Sequence, residues 1–373
     1  MKVIILTCFE SNEERVSFVY DGCKSRKYDI KVITTDFSHI KKDKRKVIPK
    51  GYIAIETKPY NKNLSIQRMT SHAKFARDAF ALVEKENPNL IWLMAPANSL
   101  IKQARKFKNK HPNTKLIIDI IDMWPESLPI NVSRKLFPLN LWRRIRSNNI
   151  NCADVLVTEC EFYQDILSKE YNKNIHTIRW TRNRNASVSK TKLKNDKLSL
   201  CYVGSINNII GTQIMSDVIN NADMPIVLHV IGEGENRYNF VNLASRVCEV
   251  IYHGPIRDEK KKTEIFNKCH AGINIYKNNL YIGLTVKCID YFEHGLPIIN
   301  NIKGDTWKMV EKYNVGININ KDIKLNSKEI IKMRSNNKYI YDFYNNNFTK
   351  QIFTKKCLEV IDEAIKWCAS KRT

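Results

Sequence analysis

The residues best suited to chemistry lie in Gly283–Pro297, GLTVKCIDYFEHGLP. Leu284–Glu293 contains neither Gly nor Pro, and Gly295 and Pro297 stop it, so it reads as a helix. The apolar run Ala271–Tyr276 and the polar loop Lys277–Gly283 precede it, and a second buried run, Pro297–Asn300, follows. Strand, loop, helix and strand make a βαβ unit, whose ligands bind beyond the carboxyl ends of the strands. The backbone N–H groups of Gly283, Leu284 and Thr285 then stand where a helix N-terminus can hold a phosphate. Lys287 and Asp290, three residues apart, share one face, and together could hold a phosphate and a pair of sugar hydroxyls.

Three more glycines end predicted strands: Gly204 with Ser205 in Tyr202–Ser205, Gly232 in Gly232-Glu233-Gly234, and Gly254 in His253-Gly254-Pro255. Each alone is equally a tight turn, and Arg237 stands where a GxGxxG motif would have its third glycine. Together with Gly283 they suggest one rim built for a nucleotide. A second candidate is Asp122 in DIIDMWPE, 119–126, delivered at the end of a buried strand with Trp124, Pro125 and Glu126 behind it. An Asp there can accept a proton, bind an acceptor hydroxyl or stabilise positive charge on a sugar ring. It can equally cap the next segment. Between 133 and 150, Leu136, Phe137, Leu141, Trp142 and Ile145 are interleaved with Arg134, Lys135, Arg143, Arg144 and Arg146. That pattern suits a helix lying on an anionic membrane, or one packing its apolar face on its own domain.

Positioning these groups requires a repeated α/β framework. Strands are predicted at Lys2–Leu6, Ile30–Thr34, Tyr52–Ile55, Leu90–Met94, Lys115–Ile121, Asp154–Thr158 and His176–Trp180, with a long amphipathic helix over Ser65–Glu86. Residues 181–197 are polar and basic, a linker composition. A second series follows at Leu198–Val203, Ile226–Ile231, Val250–Tyr252, Ala271–Tyr276 and Pro297–Asn300, and Lys350–Cys368 closes the chain as an amphipathic helix. Strand–helix alternation implies parallel sheets covered on both faces. The expected fold is α/β, two Rossmann-like domains facing across a cleft. Residues 1–180 form the first domain, 198–348 the second, and the helix of 349–373 could pack back on the first.

The 373-residue chain has a net charge of +24. Residues 1–190 carry 35 Lys and Arg against 19 Asp and Glu, and residues 191–373 carry 27 against 19. The excess in the first half suits an anionic membrane, a phosphorylated acceptor or nucleic acid, or is a solvated basic surface. No nucleic-acid module is recognisable, and the basic residues are dispersed. The ten cysteines include no CxxC pair and read as reduced thiols, and no metal-ligand motif occurs. No apolar run reaches membrane-spanning length, and Val3–Leu6 reads as a first strand rather than a signal core.

DMWPES at 122–127, YVGS at 202–205, IGEG at 231–234, HGPI at 253–256 and GLTVKCIDYFEHGLPII at 283–299 resemble, in order and spacing, bacterial GT-B glycosyltransferases of the family-4 type. These build capsular, exopolysaccharide and lipid-linked glycans. TTDFSHIKK at 34–42 also looks like their first-domain segment. The resemblance implies a transferase that moves a sugar, a UDP-sugar favoured, to a growing polysaccharide or polyprenyl-diphosphate-linked acceptor. It would retain anomeric configuration, need no metal or cofactor, and work in the cytoplasm or on the inner face of the membrane. On it, Asp290 would bind the ribose, Lys287 the donor phosphates, Gly204 the diphosphate, and Asp122 would act in the first-domain loop.

The sequence also departs from the family. The family's first motif Glu falls on Ile282, the Arg after the phosphate-loop Gly is Ser205, and Phe9-Glu10-Ser11-Asn12 replaces a Gly-Gly loop. A rebuilt phosphate clamp would draw on Lys287, the helix N-terminus at Gly283 and one of Arg179, Arg182 or Arg184. Loss of the Glu motivates the alternative of a non-catalytic GT-B subunit that stabilises or recruits an active transferase. Homo- and hetero-oligomers both stay open.

Overall fold

The computed structural model describes residues 1–128, 137, 139–182, 193–320 and 324–366. The chain divides into two compact units, Met1–Arg179 with Lys350–Thr373, and Trp180–Thr349.

The first unit is built on a seven-stranded sheet whose pairings are all parallel. In spatial order its strands are Tyr52–Ile55, Asp29–Thr35, Lys2–Thr7, Leu90–Ala95, Lys115–Ile120, Val155–Thr158 and Ile175–Thr177. Leu90–Ala95 and Lys115–Ile120 are buried throughout, as continuous apolar runs between helical layers must be. The long helix is Ile66–Glu86. Ser65 caps it by accepting the Arg68 N–H, and Asn87 ends it in the left-handed conformation before Pro88. The order reverses between Lys2–Thr7 and Leu90–Ala95, the switch point of a doubly wound sheet.

The C-terminal helix Lys350–Lys366 belongs to this unit. Phe353 packs on Phe18 at 5.4 Å and lies 5.0 Å from the Arg15 guanidinium. Arg15 in turn grips Asp119 bidentately at 2.8 and 2.9 Å, both side chains fully buried, and Trp92 Nε1 donates to the same carboxylate at 3.1 Å. Asp119, inside the DIIDMWPE run, is therefore structural. Trp367, counted in the predicted helix, and positions 129–136 and 138 of the predicted interfacial segment lie outside the described residues.

The second unit repeats the plan with six parallel strands in the order Glu249–Gly254, Ile226–Ile231, Leu198–Val203, Ala271–Asn274, Ile298–Asn300 and Gly316–Asn318. The last of these was not anticipated, since Gly316–Asn318 is three residues long and half-polar, too short for a periodicity to show. Its switch point lies between Leu198–Val203 and Ala271–Asn274. A core of Leu200, Tyr202, Leu228, Val230, Phe240 and Ile273 fills one face of the sheet, and Phe266, Tyr291, Phe292 and Phe348 fill the other.

Candidate functional site

At the second unit's switch point a pocket of about 300 Å³ is lined by Gly204, Ser205, Asn207, Tyr276, Thr285, Lys287, Asp290 and Arg182, among others. Its floor is the turn after Leu198–Val203. Gly204 has φ +124, which a side-chain-bearing residue rarely adopts, and the Lys287 side chain lies 3.6 Å from where a Cβ would be. Gly232 packs against this turn so closely that a Cβ would fall 2.0 Å from the Gly204 carbonyl oxygen. Gly204 N–H donates to Ile231 O and Gly232 N–H to Gly254 O, so the predicted glycine-bearing strand ends do lie side by side.

The helix that carries Lys287 and Asp290 starts at Val286, not at Leu284, and ends at Glu293. Thr285 is its N-cap residue, in extended conformation. Gly283 and Leu284 thus precede the helix, so their amides are not part of its first turn, and neither lines the pocket. The Gly283 carbonyl accepts from both the N–H and hydroxyl of Thr306 at 3.0 Å, which makes it a packing point. The sequence pattern extended the helix because nothing between Leu284 and Thr285 breaks one. Of the N-terminal trio only Thr285 reaches the pocket. Gly232 supports the floor from behind and is not in the lining.

The helix is held by polar anchors on two sides. Thr285 Oγ1 donates to Asn274 Oδ1 at 2.8 Å, Asn274 Nδ2 to Asn300 Oδ1 at 2.8 Å, and Asn300 Nδ2 to Asn318 Oδ1 at 2.7 Å. These asparagines face one another in register on three adjacent strands. On the other side, the Tyr291 hydroxyl accepts from Val203 N–H at 3.0 Å and donates to Cys201 O at 3.1 Å. A buried polar chain of this kind fixes a geometry because each member left unpaired would be costly.

Lys287 is 8% exposed and its Nζ has no hydrogen-bond partner. It sits between two aromatic faces, 4.0 Å from the Tyr202 ring centre and 4.9 Å from that of Tyr276. Burial pushes its pKa down from 10.5 to about 7. Its amine thus lies buried beside the Gly204 turn with no hydrogen-bond partner, where an anion could supply the missing acceptor. Three residues on, Asp290 is bound by Arg182, Nε to Oδ1 at 2.7 Å and Nη2 to Oδ2 at 3.3 Å. Of the three arginines considered for a clamp, Arg182 is in this pocket, Arg179 pairs with Glu161 in the first unit, and Arg184 is outside the described residues. Ile282 packs against the hydrophobic core.

In the first unit Asp122 follows the buried strand Lys115–Ile120 and is half-buried. Burial raises its pKa, partly offset by the Ser127 hydroxyl and the charge of Arg68. Trp124 packs on Trp142 at 4.1 Å, and the Arg68 guanidinium lies over its ring at 4.5 Å. Glu126, assigned from sequence to the same loop, is tied up in a buried bidentate pair with Arg146 at 2.7 and 2.9 Å. Arg68 itself was missed by the sequence reading. It is 5% exposed, its Nε lacks a partner, and it stands in a polar cluster with Tyr60, His39 and His72. Burial and the neighbouring cations push the His39 pKa down to about 4. One helix position among many arginines gives no signal. Only the fold, which brings Ile66–Glu86 beside the Asp122 loop, reveals it. Where the family has a glycine loop, the Glu10 carboxylate accepts from Ser38 Oγ and the His39 and Ile40 amides.

Among the described residues no group of three or more His, Cys, Asp or Glu converges as a metal site, and no helix is long and apolar enough to cross a membrane. The helix Leu139–Ser147 buries Leu139, Trp142 and Arg146 and leaves Leu141 half-exposed.

Two doubly wound parallel units make up the α/β architecture known as the GT-B fold. Solved structures agree: the chain matches sucrose-phosphate synthase from Thermosynechococcus elongatus with TM-score 0.72 and 11% identity, over 97% of this chain and 98% of that one. It matches the lipopolysaccharide outer core galactosyltransferase WaaB with TM-score 0.67 and 14% identity, over 98% and 99%. It matches Anabaena HepE, solved in complex with UDP, with TM-score 0.66 and 11% identity, over 97% and 100%. No protein-family model and no curated protein matches the sequence.

Proposed function

We propose that this chain is a glycosyltransferase that takes a sugar from a nucleotide-sugar, a UDP-sugar foremost, and passes it to a growing glycan or lipid-linked acceptor. The observation that carries the reading is Lys287, a buried ammonium with no protein partner beside the glycine turn at the switch point. In the reaction the bond between the sugar's anomeric carbon and the diphosphate breaks, and the diphosphate leaves with the electron pair. An acceptor hydroxyl oxygen forms the new bond and gives up its proton. Lys287, fixed before the reaction, meets the charge that develops on the leaving diphosphate. Asp290, freed from Arg182 or shared with it, would hold the ribose hydroxyls. Asp122, with its raised pKa, would hydrogen-bond the acceptor hydroxyl. Retention of configuration and independence from metals follow from the family resemblance.

The test is thermal unfolding with UDP, GDP and CMP. A ligand at about 100 times its dissociation constant adds about 2.7 kcal/mol. A shift with one base that Lys287→Ala abolishes supports transfer. The apolar Ile282, packed on the core where a sugar-binding Glu would be expected, favours a second reading, the non-catalytic GT-B subunit. No shift with any nucleotide would select it.

A further inference from the structure

The first unit contains a second cavity, of about 430 Å³, that the donor pocket does not explain. Ile66, Met69, Trp124, Phe137, Trp142 and Ile145 make its walls. That size falls within the roughly 300–1,000 Å³ of small-molecule sites. Several polar groups in its wall are occupied, Thr70 Oγ1 donating to the Gln67 carbonyl and Ser99 Oγ to that of His72, while the Trp124 indole N–H is buried without a partner. Asn98 Nδ2 donates to the carbonyls of Trp124 and Trp142 at 3.2 and 3.0 Å. The His72 imidazole, buried among Arg68, His39 and Lys42, has its pKa pushed well below the ordinary value. Apolar and aromatic side chains dominate the wall, so the cavity suits hydrocarbon.

The mouth is different in character. Phe137 is 82% exposed and Ile66 75% exposed, large apolar side chains held in water at the edge of an apolar hole. Lys102 and Lys106, one turn apart on the helix Asn98–Lys110, line the same edge and are exposed, and no Asp or Glu is in the lining. On Leu139–Ser147, Trp142 and Ile145 form the pocket wall and Leu139 is buried, which leaves Leu141 as the exposed apolar side chain. The apolar walls and the two lysines together fit a hydrocarbon chain that carries an anionic group.

We propose that this pocket binds the hydrocarbon chain of an anionic amphiphile, its phosphate-like head at Lys102 and Lys106. As the lipid portion of the sugar acceptor, the ligand would deepen the transferase reading, and in that role it rests on it.

The probe is dodecyl phosphate below its micelle concentration, titrated into the full chain and read by calorimetry and by the fluorescence of Trp124 and Trp142. Saturable binding is expected, at least tenfold tighter than for dodecyltrimethylammonium. Ala73 lines the pocket and is exposed, so Ala73→Trp fills the cavity without disturbing the core. It should weaken binding at least tenfold with the unfolding temperature kept. The double variant Lys102→Glu, Lys106→Glu should remove the preference for the anionic head. Equal binding by Ala73→Trp overturns the proposal, as does adsorption to phosphatidylglycerol vesicles without binding of the dissolved amphiphile, which would make the face a membrane surface. The UDP-induced shift is measured on the same samples. Its absence alongside intact dodecyl phosphate binding would sink the transfer reading and leave the pocket standing.

Discussion

Replacing Lys287 by Met should do two opposite things, and both can be sized. The ammonium's pKa falls from 10.5 to about 7 on burial, a penalty for the charged form of about 5 kcal/mol. Contacts with Tyr202 and Tyr276 offset part of it, about 1–2 kcal/mol. Between pH 10.5 and about 7 the unfolded chain binds a proton at this position and the folded chain does not. Wild-type stability therefore falls as pH is lowered through that window and levels off below it. Lys287→Met lacks this slope and should be more stable at pH 7 by about 2–4 kcal/mol. Ligand binding reverses the sign. At pH 8.5 the empty site is mostly neutral, and a diphosphate placed against it restores the charge. UDP binding should take up close to one proton, and affinity should weaken about tenfold per pH unit above 7 until the bound-state pKa is reached. Calorimetry of UDP binding in buffers of different ionisation enthalpy gives the proton number directly. Binding at pH 8.5 without proton uptake, or a Met variant less stable than wild type at pH 7, would refute the reasoning.

On the ribose role proposed for Asp290, Asp290→Ala should weaken UDP by about tenfold, about 1.4 kcal/mol, and not weaken inorganic diphosphate; competition titration reads both. Gly232→Ala drives a Cβ to within 2.0 Å of the Gly204 carbonyl, so the turn at Gly204 must move. A loss of about 3 kcal/mol in urea unfolding and of the UDP shift is expected. Asp119→Asn leaves the Arg15 guanidinium buried against a neutral amide and should cost about 3–5 kcal/mol by the same measurement, with UDP affinity unaffected.

Much of the framework was legible because each strand is a short, continuous apolar run between helical patterns. Lys2–Leu6, Tyr52–Ile55 and Leu198–Val203 fall within a residue of the observed elements, and Ile66–Glu86 carries its own cap and stop. Burial on both faces makes such runs plain. Gly316–Asn318 was hidden for the opposite reason, its three residues being too few and too polar. In the site, Lys287 and Asp290 were placed together by one local pattern, because the βαβ unit keeps them close in sequence, whereas Gly204 and Ser205 came from a separate glycine-bearing strand end that the fold brings into the same pocket. The partners that tune them come from far along the chain. Arg182 reaches Asp290 across 108 positions, and Tyr202 approaches Lys287 only once two strands pair. Glu126 shows the converse. Its carboxylate looks available in sequence, and only the fold supplies Arg146, twenty residues later, to occupy it.

The helix Lys350–Lys366 gives the chain an unusual order of assembly. The second unit, Trp180–Thr349, is one continuous stretch, whereas the first joins Met1–Arg179 to a segment that begins at Lys350. On a ribosome adding about 5–20 residues each second, the opening 179 residues wait some tens of seconds for their last helix. During that interval Phe18 and Arg15 lack Phe353, and an apolar surface stays open to chaperones or to misassembly. The part synthesised second is thus free to finish first. A nonsense codon near position 350 would spare the second unit and leave its elder neighbour permanently unfinished.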